Sequence, residues 1–176
     1  MRFALFAVLV LLPGLAAAQP TLRLDVGMAY TDPNEPYAEL SLSSVTPLQG
    51  PVVATATLSA TSRLYDVVYA PQEPGPDIDP GFFGSPVLVD RWTALALGAG
   101  VRLGSDRMAF QATAGPVFTA TEKTGDDVVL GAGVGAEVGL VDVYPIPAFG
   151  LGLSVHGATT TSHSWAGVRL GLRARL

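Results

Sequence analysis

The stretch Val128-Val129-Leu130-Gly131-Ala132-Gly133-Val134-Gly135-Ala136-Glu137-Val138-Gly139-Leu140 decides the fold. Its even positions are all apolar, while Gly131, Gly133, Gly135, Glu137 and Gly139 stand between them. A period of two is that of a β-strand with one apolar face. Periodicity alone leaves the direction of that face open, because a soluble barrel buries it and a membrane barrel turns it to lipid. The glycines choose between them. Glycine at every second position packs nothing on a solvated sheet surface and adds backbone entropy cost, whereas it suits the crowded inside of a small closed barrel. The apolar face is therefore expected to look outward, into a bilayer.

The same pattern recurs along the chain and predicts seven further strands. Residues 21 to 31 set Leu22, Leu24, Val26, Met28 and Tyr30 against Arg23, Asp25, Gly27 and Ala29. Residues 37 to 46 set Ala38, Leu40 and Leu42 against Glu39, Ser41 and Ser43, and residues 52 to about 69 set Val52 to Ala60 against Thr55 to Thr61, with Arg63 further along the polar side. Beyond a long connection, Thr93 to Leu103 alternate with Ala94 to Arg102, and residues 107 to 121 alternate Met108, Phe110, Ala112, Ala114 and Phe118 with Gln111, Thr113, Gly115 and Thr119. Residues 148 to 158 and 164 to 176 close the series, the last with Gly167, Arg169, Gly171, Arg173 and Arg175 on its polar side.

Composition narrows the class. The chain has 176 residues, 49% of them hydrophobic, and no run approaches the roughly 20 apolar residues of a membrane helix. Arg2, the apolar stretch Phe3 to Leu15 and Ala16-Ala17-Ala18 read as a signal peptide over residues 1–18, with the mature barrel at 19–176. The absence of cysteine removes lipoprotein anchoring, thiolate metal sites and cysteine nucleophiles. Ten basic residues against fifteen acidic ones, with Lys123 the single lysine, offer no patch for nucleic acid.

The connections are expected to alternate in length. Pro47 to Gly50, Gly104 to Asp106 and Tyr144 to Pro147 are short, whereas Thr31 to Pro36, Ala70 to Asp90, Glu122 to Asp127 and Ala158 to His163 are longer. Short periplasmic turns and long outer loops are the habit of bacterial outer-membrane barrels. Both termini are then periplasmic.

These residues resemble the small eight-stranded outer-membrane barrels, such as the transmembrane domain of outer membrane protein A and the outer membrane protein X-like proteins. The resemblance spans residues 19 to 176 and rests on architecture, not on a motif. It implies an all-β, antiparallel, up-and-down transmembrane barrel in a Gram-negative-type outer membrane, monomeric and in contact with lipid. A soluble lipocalin-like barrel is the alternative fold, and its outer face would be the glycine-rich one.

Chemistry-bearing residues are few. Arg23, Asp25, Glu39, Arg63, Arg102, Gln111, Glu137, Ser154, His156, Arg169, Arg173 and Arg175 share the inward parity, and charges in so narrow a lumen must pair. They are read as a structural plug. With a tight turn at Tyr144 to Pro147, Glu137 would face Ser154 and lie diagonal to His156, an arrangement with the makings of a serine hydrolase but without a path for substrate. Tyr37, Tyr69, Trp92 and Trp165 also fall on the polar parity, so they cap the lumen or are carried outward by bulges, while Tyr30, Tyr65, Phe118, Tyr144 and Phe149 suit interfacial girdles. Asp32, Glu35, Glu73, Asp77, Asp79, Asp90, Glu122, Asp126 and Asp127 make the outer connections acidic, able to meet lipopolysaccharide-type head groups through divalent cations. The expected function is non-enzymatic, in envelope structure or surface contact, with no cofactor. A narrow channel and a lipid-modifying enzyme are the alternatives.

Overall fold

The computed structural model describes residues 20–31, 35–63, 91–122 and 128–176. The predicted signal peptide, Tyr65, Tyr69 and most of the acidic connections lie outside them. Eight strands run in chain order: β1 (Thr21–Thr31), β2 (Glu35–Pro47), β3 (Val52–Arg63), β4 (Arg91–Gly104), β5 (Met108–Glu122), β6 (Val128–Ile146), β7 (Phe149–Thr160) and β8 (Ser164–Arg175). Each pairs antiparallel with its neighbour, and β8 returns to β1 to close the barrel. Closure leaves no unpaired strand edge, which is the condition for a sheet in hydrocarbon, where no water can satisfy a free N–H.

The alternation sorts as expected. Val134, Leu130, Val26, Leu170 and Phe149 are exposed on the outer wall, whereas Arg23, Asp25, Ser41 and Arg173 are buried inside. The inward glycines give clearance to large polar side chains. A Cβ on Gly167 would fall 2.7 Å from His156 Cε1, and one on Gly27 would fall 3.1 Å from Arg169 Cγ. In the β4–β5 ladder the pairs stop at Ala96↔Val117 and resume at Ala99↔Ala114, around Pro116, which has no N–H to donate. Gly50, at φ 59°, supplies the left-handed residue of the β2–β3 turn.

Several boundaries differ from expectation. β6 continues to Ile146, so Tyr144 to Ile146, expected in a turn, are strand, and the reversal is made by Pro147 and Ala148. β7 runs to Thr160 and β8 starts at Ser164, which leaves residues 161–163 where a longer connection was expected, and β1 and β2 are separated by 32–34 alone. The length asymmetry thus rests mainly on the connection 64–90. Ladder hydrogen bonds satisfy polar strand residues as well as apolar ones, so pairing outlasts the hydrophobic alternation at that rim.

Phase also shifts in β6. The β6–β7 register slips between Gly139 and Val141 and again between Val143 and Ile146, and after the first slip the buried, lumen-facing positions change from Gly139 to Asp142 and Tyr144. Tyr144 is therefore inside the barrel and not in a lipid girdle. Tyr37, Trp92 and Trp165 stay on the inward parity and are buried, which makes them lumen caps.

Candidate functional site: the charged lumen

The lumen is layered. At the end where β3 leaves for residues 64–90, Trp92 packs edge-on against Tyr37 (ring centroids 4.5 Å apart) and His163 (4.7 Å), and Trp165 lies 5.0 Å beyond His163. The 161–163 turn folds inward to reach this lid: Ser162 Oγ lies 3.1 Å from Thr119 Oγ1 and 2.9 Å from Thr160 Oγ1, and 3.0 Å from His163 Nδ1. Gly131 permits that crossing, since its Cβ would fall 2.6 Å from Ser162 Oγ.

Below the lid is a chamber of about 50 Å³ lined by Thr55, Thr57, Ser59, Thr113, His156 and Arg169 among others. At roughly 10–15 Å³ for each water it has room for a few waters.

An unbroken chain of ion pairs fills the next layers. His156 Nε2 meets Glu39 Oε2 at 3.0 Å, and Arg169 donates to Glu39 Oε1 at 2.7 Å and to Glu137 Oε2 at 3.0 Å. Arg23 donates to Glu137 Oε1 at 2.9 Å, to Asp142 Oδ2 at 3.0 Å and to Gln111 Oε1 at 3.0 Å. Arg173 closes the chain on Asp142 Oδ1 at 2.8 Å and on Asp25. Each of the three guanidiniums binds two carboxylates, and the alternation of sign keeps every buried charge beside its opposite.

The strands set these meetings. Arg23 and Arg173 are direct partners in the β1–β8 ladder, as are Gly27 and Arg169, so two cationic layers line that seam. The β5–β6–β7 wall answers with Gln111, Glu137, Asp142 and His156.

Eight expected lumen residues thus join one network: Arg23, Asp25, Glu39, Gln111, Glu137, His156, Arg169 and Arg173. Arg102 and Arg175 sit apart from it against Tyr144, and Arg63 stands at the end of β3 opposite Tyr37. Ser154 points inward, 1% exposed, and its Oγ has no hydrogen-bond partner. The expected pairing of Glu137 with Ser154 is corrected: Glu137 faces His156, and Ser154 faces Gly139. The later reversal at Pro147 and the slips after Val143 and after Gly139 move the register. Glu137 is spent on two arginines, His156 Nε2 lies 3.0 Å from Glu39 Oε2, and Ser154 Oγ makes no hydrogen bond to His156, so Ser154, His156 and Glu137 form no nucleophile–base relay.

Asp142 was not expected in the network. Its own chemistry carried the signal, because an ionised carboxylate on the lipid-facing parity of β6 would cost several kcal/mol, and a bulge that turns it inward removes that cost.

The closed eight-stranded barrel superposes on solved outer-membrane proteins. Neisserial surface protein A superposes with a TM-score of 0.62 at 9% identity, over 89% of this chain and 96% of that one. Ail, the attachment invasion locus protein of Yersinia pestis, gives 0.55 at 12% identity, over 90% and 97%. The chain has the small outer-membrane barrel fold. The outer membrane enzyme PagL shares it, with a TM-score of 0.52 at 11% identity over 88% of this chain and 99% of that one, so the fold by itself does not separate enzymes from non-enzymes. No protein-family model and no curated protein sequence matches the chain.

Proposed function

We propose that this chain is a non-enzymatic barrel of a Gram-negative-type outer membrane, exported through a signal peptide at residues 1–18, that acts in envelope structure or surface contact and does not conduct. The observation that carries this reading is the filled lumen: Arg23, Asp25 and Asp142 are each 2% exposed and Arg173 1%, so the ionic layer leaves no bore at its level. The start of β1, the end of β8 and the turns 48–51, 105–107 and 147–148 share one end of the barrel, which on this reading is periplasmic. The connection 64–90 then faces outward and, with the acidic residues around it, meets head groups through divalent cations. Planar-bilayer recording tests it: purified protein should insert without resolvable conductance steps, and steady open-channel steps would replace this reading with the channel.

One contact favours a second reading. Ser162 Oγ and His163 Nδ1, at 3.0 Å, are a hydroxyl and an imidazole within hydrogen-bond reach at the outer rim. Deacylation of lipid by the wild type, lost in Ser162→Ala at unchanged folding, would establish a lipid-modifying enzyme.

A further inference from the structure

Two arginines at the short-turn mouth of the lumen are not used by the ionic chain. Arg102 on β4 and Arg175 on β8 are inward and half-buried. Arg175 Cζ lies 3.6 Å from the Tyr144 ring centroid and Arg102 Cζ 5.8 Å from the same point. Arg102 Nη2 donates to Tyr144 Oη at 3.2 Å, and its Nη1 lies 3.5 Å from Thr21 Oγ1. One ring thus gathers both guanidiniums.

That ring is fixed in place. Tyr144 is 3% exposed, and its N–H donates to Arg107 O at 2.9 Å. A Cβ on Gly150 would fall 2.8 Å from Tyr144 Cδ1, so the bare glycine opposite makes the space the ring occupies.

Among the described residues no acidic side chain forms an ion pair with either guanidinium. Asp25, Glu39, Glu137 and Asp142 are engaged by Arg23, Arg169, Arg173 and His156, and none of the ion pairs among the described residues reaches Arg102 or Arg175. Arg107 and Asp106, both exposed in the adjoining turn, cancel each other in net charge. Two like charges held at a partly desolvated rim repel, and an anion between them removes that cost. Cation–π contact with Tyr144 orients the guanidiniums without neutralising them.

We propose that this mouth is a receptor for a phosphate group, which Arg102 and Arg175 hold between them over the Tyr144 platform. Two planar forks offer several N–H donors from two directions, which suits a tetrahedral oxyanion better than the two coplanar oxygens of one carboxylate. Two sources carry that group: inorganic phosphate or a phosphate ester in the aqueous compartment, and the headgroup of a phospholipid at the rim.

Two measurements separate them. The first is calorimetric titration of the detergent-purified protein with inorganic phosphate, and the second is native mass spectrometry of protein taken from mixed phosphatidylglycerol and phosphatidylcholine nanodiscs. Saturable phosphate binding weakened at least tenfold in both Arg102→Gln and Arg175→Gln assigns a soluble ligand. No phosphate binding in detergent, with phosphatidylglycerol retained by the wild type and lost from both variants, assigns the lipid. Arg175→Lys keeps the charge but loses the fork, and should retain only part of either signal. Unboiled gel migration checks that each variant is folded, and a variant that does not fold is replaced by Tyr144→Leu, which removes the platform. Binding that is absent from both assays, or that the substitutions leave unchanged, overturns the proposal.

Discussion

Arg23 Nη2 and Asp142 Oδ2, 119 positions apart in sequence, meet at 3.0 Å inside the barrel, and the other Asp142 oxygen accepts from Arg173 Nε at 2.8 Å. One carboxylate is therefore shared by two buried guanidiniums on the β1–β8 seam. Asp142→Asn keeps the volume and removes the charge, leaving Arg23 with Glu137 alone and Arg173 with Asp25 alone, and should lower unfolding free energy by about 3 kcal/mol. Urea unfolding in lipid vesicles, followed by tryptophan fluorescence, measures it.

Glu137 holds the same kind of position with more exposure. It accepts from Arg23 at 2.9 Å and from Arg169 at 3.0 Å, but its side chain is 16% exposed against 2% for Asp142. Glu137→Gln should therefore cost less than Asp142→Asn under identical conditions, about 1–3 kcal/mol. The reverse order would mean that the chain of ion pairs is not closed at Asp142. His156→Ala in the same series should leave Glu39 held by Arg169 alone.

Much of this was legible in the sequence, and the exceptions share one cause. β1 and β8 pair from Thr21↔Arg175 to Thr31↔Trp165 without a slip, so simple parity places Arg23, Asp25, Arg169 and Arg173 correctly. In β6 the slip between Gly139 and Val141 breaks parity, which hid Asp142 and put Tyr144 in the wrong compartment. The meeting of Glu137 with His156 was missed because register depends on where the chain reverses, and the turn expected at Tyr144 to Pro147 lies at Pro147 and Ala148, with two slips before Glu137 is reached.

The outer wall predicts a different response. Val134 is 69% exposed and pairs with Pro116 of β5 at mid-strand. Val134→Arg should cost about 2–4 kcal/mol if that face meets the bilayer core. A change near zero in vesicle unfolding would show a wet face.

Orientation follows from which end carries the longest connection. The ends of β3 and β4 that bound residues 64–90 lie opposite the start of β1 and the end of β8, so a protease added to intact cells should cut within 70–90 before any turn. Cleavage confined to 48–51, 105–107 or 147–148 would invert the topology.

Migration of the detergent-purified protein on gels, unboiled and boiled, tests the central claim most directly when read with cell fractionation. A closed barrel of paired strands should stay folded in the unboiled lane and migrate at a different position from the boiled chain, with the protein recovered in outer membranes. Identical migration in both lanes, with recovery in the soluble periplasmic fraction, would contradict a transmembrane barrel.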